Sequence, residues 1–126
     1  MIQPSLLKRP FLILGAVVTL LADAGPRIPL PKKSMTEAIQ IAQKQLSNDL
    51  NKDPEFMRQM LLVEARYTSE NHLAYEYPKL FPKIGPVIER PRWFWVIAFV
   101  HPVANDVSFT YCVDQSGQVK LLQSTT

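Results

Sequence analysis

The one cysteine, Cys112, and the two histidines, His72 and His101, are the side chains of this 126-residue chain best suited to chemistry. A cysteine nucleophile needs a base within hydrogen-bond reach, so Cys112 with His101 is the first pair to place. His101 follows the apolar segment 93–100 and Cys112 lies within 107–113, two segments that read as adjacent strands joined by a turn at 101–106. If paired residue numbers sum to 208, Cys112 faces Val96 while His101 points to the opposite side. If the register slips by one, the two share a face, but Cys112 then lies opposite Trp95, about six residues or roughly 20 Å along the strand from His101. Neither register makes a dyad. Cys112 therefore reads as a small buried apolar side chain and His101 as a turn or edge residue.

Metal and phosphate chemistry find no better footing. His72 and His101 have no H-x-x-x-H or C-x-x-C companion, so no metal site is expected. Four glycines spread over the chain form no phosphate-cradling loop, and no cofactor is implied. The segment Glu89-Arg90-Pro91-Arg92, with Lys79 and Lys83, makes a basic loop rich in aromatics. It reads as solvated surface charge, or as a contact for an acidic partner or an anionic envelope surface.

The composition, 47% hydrophobic and 20% charged, is that of one ordinary globular domain. Lys8 and Arg9 precede an uncharged apolar run, residues 11–21, that ends in Ala22-Asp23-Ala24, the pattern of a secretory signal peptide cleaved after Ala24. The alternative is an uncleaved anchor to the inner membrane, but the run is shorter than the roughly 20 residues a spanning helix needs. A mature chain without residues 1–24 has no transmembrane span. Losing Lys8, Arg9 and Asp23 lowers the formal net charge from +3 to +2, too weak and dispersed for nucleic acid. A lone thiol makes no intrachain disulfide, so the domain must stand on its core, in keeping with a bacterial periplasm.

The elements follow in order. Residues 25–33, with three prolines in six positions, form an extended lead-in. Ser34-x-x-Glu37 is a capping box, and Ala38, Ile39, Ala42, Leu46 and Leu50 make one apolar stripe on a helix of about 16 residues. Residues 54–60 read as helix or loop, and alternation from Leu61 favours a strand over a longer helix. Residues 69–91 hold four prolines and three aromatics without a sustained period, a loop long enough to suggest function. The strand 93–100, containing both tryptophans, is central. Strands at 107–113 and 118–123 follow, joined at Asp114-Gln115-Ser116-Gly117, where Gly117 supplies a positive φ. The fold class is α+β, one N-terminal amphipathic helix packed on an antiparallel sheet of about four strands.

Parity separates the two faces of that sheet. Trp93, Trp95, Ile97, Phe99, Val107, Phe109, Tyr111, Val113, Val119 and Leu121 share one face, which the helix must cover. The other face carries Phe94, Val96, Ala98 and Val100 as an apolar rib between the more polar Ser108, Thr110, Cys112 and Lys120. The rib is either covered by the proline-rich loop and the lead-in, or left open for another molecule.

The order helix, strand, long loop, then Trp93-x-Trp95-Val96-x-Ala98-Phe99 and Val113-Asp114-x-x-Gly117-x-Val119, resembles a PepSY-type domain over residues 34–123. The Thr36-x-Ala38-x-x-x-Ala42 helix matches the helical part of that pattern, and the proline-rich loop before the tryptophan strand is longer than its usual one. The resemblance implies a cystatin-like helix-on-sheet fold and a non-catalytic exported domain that inhibits or regulates a peptidase. It brings no catalytic residues. The expectation is then a binding module with a protein partner, contacted through Tyr75, Tyr77 and Phe81 of the loop or Phe94, Val96 and Ala98 of the rib. The alternatives are a small ligand-binding or hydrolytic envelope protein with a pocket between helix and sheet, and a structural subunit of an envelope complex.

Overall fold

Helix α1 (Met35–Leu50) begins at the expected capping box. Ser34 Oγ accepts from the Glu37 amide at 3.1 Å, and Glu37 Oε1 accepts from the Ser34 amide at 2.8 Å. The helix ends at Asn51, which adopts the left-handed conformation (φ 50°) and donates its amide to the Ser47 carbonyl. The computed structural model describes residues 28–51, 54–82, 85, 87–104 and 106–125. Residues 1–24, read as a signal peptide, lie outside the described residues, as do 25–27 of the lead-in. Among the described residues no helix is long and apolar enough to cross a membrane.

After α1 come α2 (Pro54–Arg58), β1 (Leu61–Ser69), α3 (Glu70–Glu76), β2 (Trp93–Val100), β3 (Ser108–Asp114) and β4 (Val119–Thr125). The ambiguous stretch thus resolves into a five-residue helix followed by the strand from Leu61. The four strands form one antiparallel sheet in the order β1-β2-β3-β4, so the fold is α+β with a helix across the sheet. Strands β2 and β3 pair in the 208 register, Val96 opposite Cys112 and Phe99 opposite Phe109. Gly117 takes φ 92° in the β3–β4 hairpin, a conformation glycine adopts without Cβ strain.

The first core forms on the odd face. Ala38, Ala42, Leu46 and Leu50 of α1 pack on Ile97, Phe99, Phe109, Tyr111 and Val113, with Trp95, Val107 and Val119 at the margin. Two alanines at successive turns let the helix lie close to the large ring of Tyr111, which is fully buried. That phenol donates to Asp49 Oδ2 at 2.8 Å, so the last turn of α1 is tied to the middle of β3. Burial and the Asp49 carboxylate both raise the Tyr111 pKa. Leu121 pairs with Tyr111 but lies on the edge strand and remains 39% exposed.

The even face is closed too. Leu73 and Ala74 of α3, with Phe81 from the loop, cover Phe94, Val96, Cys112 and Leu122 in a second core. The cover is therefore a helix that sequence periodicity does not predict, in a stretch read as a long loop. The lead-in docks elsewhere: Lys33 O accepts from Trp95 Nε1 at 2.8 Å, and the Lys32 amide donates to Gln115 Oε1 at 2.7 Å. A register shift between Thr110 and Tyr111 inserts Leu122 as an extra residue in β4, and Leu122 is buried in the second core.

Because β2 is buried on both sides, truncation on either face should cost a similar amount. Phe94→Ala and Phe99→Ala are each expected to lose about 3–5 kcal/mol of unfolding free energy in urea titrations. A loss at Phe94 below about 1 kcal/mol would show the even face to be open instead.

Candidate functional site

The long segment between β1 and β2 is built around one polar clamp. The Glu70 amide donates to the Arg92 carbonyl at 2.7 Å, Glu70 Oε1 accepts from the Arg92 amide at 3.0 Å, and Glu70 Oε2 accepts from the guanidinium at 2.8 Å. The start of α3 is thereby pinned to the residue before β2, 22 positions further along the chain. The Arg92 hydrogen bond holds the Glu70 carboxyl below its usual range against the opposing effect of burial. Asn71 adds a second tie, its side chain exchanging two hydrogen bonds with the backbone of Ile88. Seven residues are too few for an independent helix, so α3 depends on these ties and on burial of Leu73 and Ala74.

The outer side of this segment is where aromatic surface collects. Tyr75 is 82% exposed on α3. Past the helix end, Tyr77, Pro78 and Leu80 join Leu122 of β4 in walling an apolar hollow of about 430 Å³, with Glu76 and Lys79 at its rim. Burial, then the neighbouring Glu76 charge, raises the Tyr77 phenol above its ordinary pKa. Glu76 accepts from Arg66 at 2.6 Å, Arg66 also donates to Glu64 at 2.5 Å, and His72 Nε2 lies 3.4 Å from the Glu76 carboxylate. Lys120 Nζ lies over the Phe81 ring at 5.1 Å and reaches the Leu80 carbonyl at 3.4 Å. The hollow thus has apolar walls and charges of both signs around it.

The structure sorts the six contact residues expected from sequence. Tyr75 is exposed and Tyr77 half-buried at the hollow. Phe81, Phe94, Val96 and Ala98 are buried, at 4%, 4%, 0% and 8% exposure. Those four are not surface contacts in this fold. Phe81 packs edge-on against Phe94 at 5.5 Å instead, making the second core's central aromatic pair. Leu80 and Leu122 went unnoticed as site residues; the hydrophobic spacing 77-80-81 hinted at the first, and even parity places the second on the face of Cys112 and Lys120.

The cysteine and histidine are separated as both registers required. Cys112 lies in the second core, 2% exposed. His101 is 5% exposed and stacks on Phe56 of α2 at 4.4 Å, on the α1 side of the sheet. His101 Nδ1 accepts from the amides of Val103 and Ala104 at 3.1 and 2.9 Å. Accepting both requires the neutral ring with its proton on Nε2, which has no hydrogen-bond partner among the described residues. The ring thus shapes the β2–β3 turn. A second hollow of about 310 Å³ lies between α1, α2 and β1, lined by Leu46, Met57, Met60, Leu62 and Phe99 with Gln43 and Arg58. Among the described residues no group of His, Cys, Asp or Glu is clustered to hold a metal ion.

Two expectations follow. The Glu70 carboxylate, held below an unfolded value of about 4.3, contributes stability in full above that value and loses it as pH falls through the folded one. Glu70→Gln should therefore cost about 1 kcal/mol at neutral pH, discounted for the exposed arginine, and the gap from the parent should close in acid when urea midpoints are compared. Burial pushes the Cys112 thiol up to about 11, so an aromatic disulfide reagent should react at least tenfold more slowly with the native chain than with the unfolded one. Equal rates would place the thiol at the surface.

No family model, curated protein or solved structure matches this chain.

Proposed function

We propose that the chain is an exported, non-catalytic module that binds a protein partner, with restraint of a peptidase as its specific role. The observation that carries this reading is the apolar hollow of Tyr77, Pro78, Leu80 and Leu122, with Tyr75, 82% exposed, on the helix that leads into it. An apolar recess with a charged rim, on a segment that also exposes an aromatic ring, suits a partner that inserts one apolar side chain and meets Glu76 or Lys79 around it. The clamp at Glu70 and Arg92 holds the start of α3 in place before binding, which lowers the entropic cost of association. The PepSY-like order of helix, tryptophan strand and Asp-Gly hairpin supports the same role, because modules of that kind are expected to act by contact. Export rests on the N-terminal pattern of Lys8, Arg9, the apolar run and Ala22-Asp23-Ala24.

A second reading, a small-ligand pocket between helix and sheet, draws on the hollow lined by Leu46, Met57, Met60, Leu62 and Phe99. Its thioether and aliphatic lining suits an apolar ligand without polar selectivity.

Affinity capture of partners from envelope extract tests the leading reading. Tyr75→Ala and Leu80→Ala are each expected to reduce capture at least about tenfold, roughly 1.4 kcal/mol, with the thermal midpoint of Tyr75→Ala unchanged. Unchanged capture by both variants rejects this surface.

A further inference from the structure

Strand β1 ends the sheet, so one of its edges has no strand partner among the described residues. Its sequence, Leu-Leu-Val-Glu-Ala-Arg-Tyr-Thr-Ser, contains neither lysine nor proline, the residues that commonly blunt an edge. Its first three side chains are apolar and open: Leu61 is 50% exposed, Leu62 45% and Val63 57%. The bulge between Leu62 and Glu64 disturbs only that end, and Glu64–Ser69 runs in unbroken register with β2. An edge of this kind is a template for another strand.

We propose that the occupant is a second copy of this chain, its β1 pairing antiparallel with β1 across a twofold axis at Ala65. The charges select that register. Among pairings that keep both α1 helices on one face, an axis at Glu64 sets Glu64 against Glu64, and an axis at Arg66 sets Arg66 against Arg66. An axis at Ala65 sets Glu64 against Arg66 twice and brings the bulged end of one copy, Leu61, Leu62 and Val63, beside the Tyr67–Ser69 end of the other. The exposed apolar end of each copy then lies against the partner's strand. Within one copy Arg66 Nε already holds Glu64 Oε2 at 2.5 Å, so the dimer joins two existing pairs into a ring of alternating charge. Twofold pairing uses the same edge on both copies, so assembly closes at two. This interface uses residues distinct from the Tyr75 surface and does not depend on it.

Sedimentation velocity of the full chain tests the assignment. The expected mass is twice 14.4 kDa. Val63→Lys, at an exposed position, should weaken self-association at least about tenfold while leaving the circular dichroism spectrum unchanged. In a Cys112→Ser chain, Ala65→Cys should form an interchain disulfide on mild oxidation, because opposed Cα atoms in such a pair lie about 4.5–5.5 Å apart. A 14.4 kDa species at all concentrations overturns the inference. So does open-ended growth, or a dimer that Val63→Lys leaves intact, as one formed through the apolar run at 11–21 would be. A dimer that Ala65→Cys does not cross-link overturns the register.

Discussion

Strand β2 has no side open to water, and that constraint shapes the rest of the molecule. Phe94, Val96 and Ala98 on one face and Ile97 and Phe99 on the other are all buried. A strand buried on both faces needs two covers, and a chain of this length has few elements to spare. Helix α1 supplies one, with alanines where the sheet comes closest and leucines where more space must be filled. The other is improvised from a seven-residue helix and a single phenylalanine. That second cover is short, so it leans on hydrogen bonds: Glu70 to Arg92 at one end, Asn71 to Ile88 behind it, and Arg66 to Glu76 below.

The sequence made the first cover legible and hid the second. A 16-residue amphipathic helix carries several turns of periodic signal, a capping box announces its start, and strict parity along three strands identifies the face beneath it. The 208 register follows from the same parity. Helix α3 spans barely two turns, so Leu73 and Ala74 show no recurring stripe, and the prolines after it resemble loop punctuation. Ser108, Thr110 and Lys120 on the even face made it look half-solvated, although its middle is sealed. Burial of Phe81, Phe94, Val96 and Ala98 is thus a nonlocal outcome: their cover comes from a segment whose own sequence says little about where it goes. Leu122 lies on the even face that its number assigns it, and was passed over because that face looked half-solvated.

The reactive side chains tell the same story at smaller scale. Cys112 sits among phenyl rings on one face, and His101 stacks on Phe56 on the other. Alternation along the strands was enough to keep them apart. The burial of His101 was not foreseeable, because it depends on the short helix α2 bringing Phe56 against the turn. What remains at the surface is an exposed ring at Tyr75, an apolar recess past the end of its helix, and a strand edge with Leu61, Leu62 and Val63 exposed.

The placement of the two tryptophans has an optical consequence. Trp93 and Trp95 both contact the Tyr67 ring, at 5.3 and 5.2 Å, and the indole N–H of Trp95 is held by the lead-in at Lys33. All the indole emission therefore arises from one end of the odd face. Loosening of the lead-in should shift its colour, whereas α3 can lift from the even face, where no indole sits, with little change in the signal. A melting curve followed by tryptophan fluorescence alone would then miss early opening of the second core, and circular dichroism or hydrogen exchange would be the probe that sees it.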